Sequence, residues 1–395
     1  MDPTRRTILN GAFGAAAWAA LGRPRRLVAA ELDEPKSRPP YRGPNVIVIR
    51  FGGGVRRQET IADPRASWCP YLVHELLPRG VLFPNMTIAD RERLATSHGQ
   101  GTLNILTGRY DTYRDVEDEF LGERFEAKVP TVFEYLRKAY DVPEHRTLIV
   151  NGEDRTDEEF YSFSNHHLYG VNYRSRTLSL YWFKVYLLRA QLGADELDEA
   201  ERASKQAALR ELEALDYRGG AASNPEVDRF WERWRAFYGD TGLKNPRGDA
   251  LLTELAVTAM KTLRPRLMLV NYQDPDYVHW GNPNHYTWGI RIIDRGIRRL
   301  VETAATDDAY RDRTAFVIVP DCGRNANPLV PVPYQHHFNS NASRAIFAFL
   351  LGPGIARGKR IERPVEQTAV AGTVGALGGF ATGHAASDIL AEALG

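Results

Sequence analysis

This 395-residue chain is poor in sulfur and carries no charge bias. Its two cysteines, Cys69 and Cys322, allow one disulfide at most, which excludes a small scaffold held by a disulfide framework. Fifty-one basic residues are offset by 50 acidic ones, a formal net charge of +1. No global field therefore draws a polyanion, no basic run follows the N-terminus, and nucleic-acid binding is not expected. Any run of eighteen apolar residues is also lacking, so the mature chain is expected to have no transmembrane segment. Internal repeats are absent. What is there is ordinary globular composition, with length enough for one large α/β core plus an insertion, or for two domains.

The N-terminus reads as a targeting segment. In "TRRTILNGAFGAAAWAALG", Arg5 and Arg6 precede an Ala- and Gly-rich apolar stretch running from Gly11 to about Leu21, too short to span a membrane comfortably. It resembles a twin-arginine export signal, with a small-residue cleavage site near Ala29 and Ala30. That implies handling by the twin-arginine export machinery and a periplasmic or extracellular destination. The expected division is a signal over 1–30, a Pro-rich linker over 31–44, and one α/β domain over 45–395.

The β-branched run "NVIVIRF" (45–51) predicts a buried parallel strand, and the glycines at 52–54 a sharp turn. Further strands are expected at 80–88, 146–152, 266–272, 314–320 and 345–355, and helices at 101–110, 129–140 and 250–263. A last helix should bury Tyr286, Ile290, Ile293, Ile297 and Leu300 on one face. Between about 154 and 246 the texture changes to aromatic clusters and a charged stretch, which predicts a helical insertion over one sheet edge. Its aromatics are candidates for core or for the lining of a substrate cleft. Strands alternating with helices imply an α/β fold, a mainly parallel central sheet with helices on both faces.

Ligands in such sheets bind beyond the carboxyl ends of the strands. Three polar clusters fall there: "GGGVRR" after the first strand, "QDPDYVHWG" after Tyr272, and "DCGR" after Pro320. Together they predict one site. Carboxylates and imidazoles within a few residues of each other suit a divalent metal, and zinc accepts both readily.

The order of "NVIVI" with its glycine turn, "SHGQGTLNILTGRY", "PDYVH", "VIVPDCGR", "HH" and "LLGPGI" resembles the alkaline phosphatase-like metallohydrolase superfamily. That group includes sulfatases, nucleotide phosphodiesterases and cofactor-independent phosphoglycerate mutases. The resemblance implies an ester hydrolase acting on small phosphate or sulfate esters. It implies one or two divalent ions, zinc foremost, about 4 Å apart where two are bound, and a metal-activated hydroxyl nucleophile. It assigns the first metal site to Asp276 (or Asp274), His279, and His337 or His336. His166, His167 and His285 match no motif and read as loop residues.

The sequence departs from the family pattern in the second half of the centre. The aspartate that ends the family's first strand falls here on Gly52 or Gly53, and Asp-His-Gly becomes Asp321-Cys322-Gly323. One reading keeps a second metal on Asp321 and a Cys322 thiolate, with His98 replacing the lost imidazole and Glu59 reaching in from the first loop. The other leaves that site empty. Counted from "LTGR", the nucleophile register lands on His98, with Ser97 and Thr96 just before it; Ser97 is the preferred hydroxyl. The formylglycine signature of type I sulfatases is absent. Arg56, Arg57 and Arg324 stand where an oxyanion would lie. The alternative to an exported hydrolase is a catalytically degenerate relative that binds an anionic ligand or an envelope partner.

Overall fold

The computed structural model describes residues 37–89, 96–110, 113–115, 125–152, 169, 171–194, 197–214, 224–243, 248–280, 282–325, 334–336, 340–386 and 388–395. The proposed export signal, residues 31–36 of the linker, His166, His167 and His337 lie outside them.

The unit spanning Pro39–Gly395 is built on a nine-stranded sheet. Its strands, with a separate β3–β4 pair, are β1 (Asn45–Phe51), β2 (Val81–Thr87), β3 (Tyr113–Asp115), β4 (Phe125–Ala127), β5 (Thr147–Asn151), β6 (Arg176–Leu178), β7 (Leu267–Asn271), β8 (Thr314–Pro320), β9 (Ala345–Leu351), β10 (Lys359–Arg360) and β11 (Val365–Glu366). The helices are α1 (His98–Thr107), α2 (Val132–Ala139), α3 (Leu180–Leu192), α4 (Glu199–Ala214), α5 (Pro225–Tyr238), α6 (Gly248–Thr262), α7 (Pro283–Thr306), α8 (Asn341–Arg344) and α9 (Ala369–Gly378).

The sheet order is β10-β2-β9-β8-β1-β7-β5-β6, with β11 also paired to β2. β6, β5, β7, β1 and β8 run parallel, and β9 is antiparallel to both β8 and β2. The expected mainly parallel sheet is therefore present, with one reversed strand. β1 is central and buried throughout, which explains its run of β-branched residues. Alternate residues serve opposite faces: Ile47, Ile49 and Phe51 enter one core and Val46 and Val48 the other. Helices α6 and α7 supply the first core, α1, α2 and α9 the second. On α7 the five predicted apolar residues are all buried, about 1.5–3 kcal/mol apiece in transfer free energy.

Within 154–246 the described residues form β6 and three helices. α4 has no buried residue, in keeping with its charged sequence. Phe183, Phe230, Trp231, Trp234 and Tyr238 are buried in the first core, so these aromatics serve packing. His285, expected in a loop, stands exposed in the first turn of α7.

Candidate metal centre

Parallel strands β1, β7 and β8 are neighbours, so their carboxyl ends deliver three loops to one place. β7 leads through Gln273 into a 3-10 turn, Asp274–Trp280, that carries Asp276 and His279. Two carboxylates anchor this turn. Asp249, at the start of α6, accepts the N–H groups of Gln273 and Asp274, and Asp274 Oδ1 accepts the N–H of Asp249 at 3.1 Å. Each aspartate thus caps the other's helical turn. Asp274 is committed to this role, and Asp276 is the residue that reaches the centre.

Asp276 Oδ1 is the hub. His279 Nε2 lies 2.7 Å from it, His98 Nε2 2.9 Å, Arg324 Nη2 2.5 Å and His336 Nε2 3.5 Å. His279 Nε2 and His336 Nε2 are 3.1 Å apart. The tautomer of His336 follows from its other nitrogen: Nδ1 sits 2.6 Å from the Thr96 carbonyl, which only accepts, so Nδ1 carries the proton. The Nε2 lone pair is left facing Asp276 and His279. Burial, with the charge of the nearby His98 ring, holds the His336 pKa well below the ordinary histidine range, so the ring is neutral.

On the other side of His98 is a second group. His98 Nδ1 is 2.5 Å from Asp321 Oδ2, and Cys322 Sγ is 3.9 Å from the same nitrogen. The His98 ring therefore bridges Asp276 and Asp321 through its two nitrogens. Both partners are carboxylates, so both nitrogens carry protons. Burial alone would lower the pKa of His98, but Asp276 and Asp321 outweigh it and raise it well above the ordinary value. Both carboxylates are held well below their usual range, the facing His98 charge overcoming the effect of burial. Asp321 also accepts the N–H groups of Cys322 and Gly54, at 2.7 and 3.2 Å.

Two wholly buried arginines complete the centre. Arg50, the last residue but one of β1, has Nη2 at 3.7 Å from Asp321 Oδ2 and 3.2 Å from the Tyr272 carbonyl, and Nη1 at 2.6 Å from Thr102 Oγ1 on α1. Arg324 bonds Asp276 and the carbonyls of Gly53, Gly54 and Tyr334. Expected near an oxyanion, Arg324 is instead spent on protein acceptors, because a buried guanidinium needs a partner for every donor it can satisfy.

The other side chains singled out in the sequence have the following partners. Arg56 and Glu59 pair with each other, and Arg56 lies over the rings of Tyr334 and Tyr286, 5.1 and 5.9 Å from their centroids. Neither is among the residues that converge on Asp276 or Asp321. Arg57 donates to the Pro84 carbonyl and to Asn85. Ser97 is the N-cap of α1, its hydroxyl accepting the Gln100 N–H at 3.4 Å. The Thr96 hydroxyl donates to the His336 carbonyl. Both cysteines are free and buried, so the allowed disulfide is not formed. Burial and Asp321 push the Cys322 thiol up to about 11.

The donors divide into two sets sharing His98: Asp276, His279 and His336 on one side, Asp321 and Cys322 on the other. The first set suits a metal. Its three donor atoms are separated by 2.7, 3.1 and 3.5 Å, against about 3.3 Å between tetrahedral ligands at zinc–nitrogen and zinc–oxygen bond lengths. The Thr96 carbonyl fixes the His336 tautomer in the way outer partners of metal-bound histidines do. The sequence missed Arg50. The signal was there, a charged residue inside the apolar strand "NVIVIRF".

No protein-family model matches the chain, and no curated protein matches its sequence. Solved structures do match. A variant of the alkaline phosphatase PafA aligns over 90% of this chain and 99% of its own, with a TM-score of 0.52 and 11% identity. A 2-O GAG sulfatase aligns over 86% of this chain and 71% of its own, with a TM-score of 0.51 and 12% identity. The lipoteichoic acid synthase LtaP from Listeria monocytogenes aligns over 87% and 74%, with a TM-score of 0.50 and 12% identity. At such identities the likeness speaks for architecture alone. The fold of this chain is the one these solved structures share.

Proposed function

We propose that the protein is an exported hydrolase of small anionic esters, phosphate or sulfate, that works with a divalent ion held by Asp276, His279 and His336. The observation that carries this reading is the convergence of one carboxylate oxygen and two imidazole Nε2 atoms at metal-ligand spacing, one imidazole already fixed by the Thr96 carbonyl. An ion bound there supplies Lewis acidity toward an ester oxygen. The chain's own groups do the rest. Arg324 and His98 hold Asp276 in place, and the Asp249–Asp274 caps fix the turn that presents Asp276 and His279. Ser97 is half-buried at the head of α1, where helix N–H groups favour an anion. It remains the candidate nucleophile. Export rests on the Arg5-Arg6 segment; among the described residues no helix is long and apolar enough to cross a membrane. The stretch 154–246 is proposed as an insertion into the core domain.

A second reading, a binding protein without turnover, is favoured by one observation. Both nitrogens of His98 face carboxylates, so this ring, adjacent to Ser97, has no lone pair with which to take the hydroxyl proton. Metal analysis with a screen of phosphate, phosphonate and sulfate esters separates the two. The hydrolase reading requires bound metal and turnover that both vanish in Asp276→Ala, and turnover that falls at least about a hundredfold in Ser97→Ala. Metal bound with no turnover on any ester class would establish the binding protein.

A further inference from the structure

Arg324 and His98 contact Asp276, but the Asp276 side of the centre adds two further imidazoles, His279 and His336, whereas among the described residues the Asp321–Cys322 side offers only His98 and a buried thiol. Asp321 Oδ1 accepts two backbone N–H groups, and Oδ2 takes His98 Nδ1 at 2.5 Å. His98 can offer Nδ1 to a cation only by giving up that bond, and its other nitrogen faces Asp276. A positive charge is already in place, since the Arg50 guanidinium is 3.7 Å from Asp321 Oδ2 and tied to Thr102 and Tyr272.

The main chain is also close-packed at the end of β1. A Cβ at Gly52 would lie 1.7 Å from the Tyr272 carbonyl oxygen, and one at Gly53 2.6 Å from both Asp276 N and Gln273 O. No side chain, and so no carboxylate ligand, can project from either position. A Cβ at Gly101 on α1 would lie 2.3 Å from the Asp321 carbonyl oxygen. The end of β1 therefore meets the loop after β7, and α1 meets Asp321, backbone to backbone.

We propose that the Asp321–Cys322–His98 half of the centre takes no metal ion, its place as counter-charge to Asp321 being filled by Arg50 together with the His98 ring bonded to it through Nδ1. Arg50 and His98 are then positioning residues for Asp321, and Cys322 is a packed thiol. That the chain binds a single ion in total rests on the first-site reading above. The metal-free character of the second half does not.

The test uses the full chain, stripped of metal and titrated with cobalt(II). Elemental analysis gives the stoichiometry, and the near-ultraviolet absorption shows whether thiolate-to-cobalt charge transfer occurs. The expected result is one cobalt per chain with no charge-transfer band. Cys322→Ala should be the same, and His279→Ala should hold none. Two cobalt ions, or a band that Cys322→Ala abolishes, would overturn the proposal whatever the activity. No cobalt in the unaltered chain, again without a band, would sink the first-site reading and leave the second half as proposed.

Discussion

Arg324 and Asp276 are a buried pair, with Nη2 of the wholly enclosed guanidinium 2.5 Å from Oδ1 of the carboxylate. The same guanidinium ties the glycine turn after β1 to the loop after β8, through the carbonyls of Gly53, Gly54 and Tyr334. The pair is therefore structural as well as electrostatic. Replacing Arg324 by Met would strand Asp276 among neutral groups and the His98 charge. We expect a loss of about 3–5 kcal/mol, the range for removing one partner of a buried ion pair, measured by urea unfolding. Arg324→Lys should recover only part of it, because an ammonium group cannot serve four acceptors in a planar fork.

Asp249 lies behind the centre and supports it through the Asp274–Trp280 turn. Burial and the neighbouring Asp274 raise its pKa well above the ordinary value, yet it accepts two N–H groups of the ligand-bearing turn. Asp249→Ala should cost about 1–2 kcal/mol of stability, as lost helix caps do. It should also weaken zinc binding, which isothermal titration would show. An unchanged zinc affinity would mean that the Asp274–Trp280 turn holds its shape without this cap.

Both thiols are buried and free, and burial raises the pKa of each. Native protein should give no reaction with a thiol reagent at neutral pH and two equivalents after denaturation. Rapid modification of the native protein would contradict the burial of Cys322.

Stability should have a bounded pH range with different groups at each end. His336 is neutral when folded, its pKa depressed from 6.5, so it binds a proton more readily unfolded and costs stability as pH falls below about 6.5. Asp276 and Asp321 are depressed from 3.8; their contribution is complete above that value and is lost as pH falls through their folded values. His98 works in the opposite sense. Its raised pKa contributes stability that is whole below 6.5 and disappears as pH rises through the folded value. Cys322, raised from 9.0 to about 11, adds a further loss between those values. Urea midpoints across pH should fall on both flanks, and His98→Gln should flatten the alkaline one.

Placing an aspartate at the end of β1 should fail to make a metal ligand. Gly52→Asp and Gly53→Asp each drive a side chain into the loop after β7, and Gly53 also has φ +77°. Both variants should be destabilised by more than about 3 kcal/mol, at the upper end of single-site effects, and neither should gain a metal in elemental analysis.

Much of the architecture was legible because periodicity and punctuation agree. β1 and β8 occupy the expected 45–51 and 314–320, and α1 ends where Gly108 adopts φ +69°. The reversal of β9 was not legible, since a buried strand reads the same in either direction. In the centre, residue types and loop positions pointed to Asp276, His279 and Asp321. Which neighbour faces inward was decided by long-range bonds: Asp274 is drawn away by Asp249, and His98 is drawn in by two carboxylates. Arginine side chains long enough to reach either the centre or solvent carry no such mark in sequence. Arg56 turned to Glu59, and Arg50 turned inward.

Arg50 belongs at once to the central strand, to the underside of α1 and to the electrostatics of the centre. A substitution there cannot alter the centre while sparing the scaffold. In a cell, such an allele would be noticed as a shortfall in the amount of protein, cleared by quality control, before any direct effect on the centre was noticed.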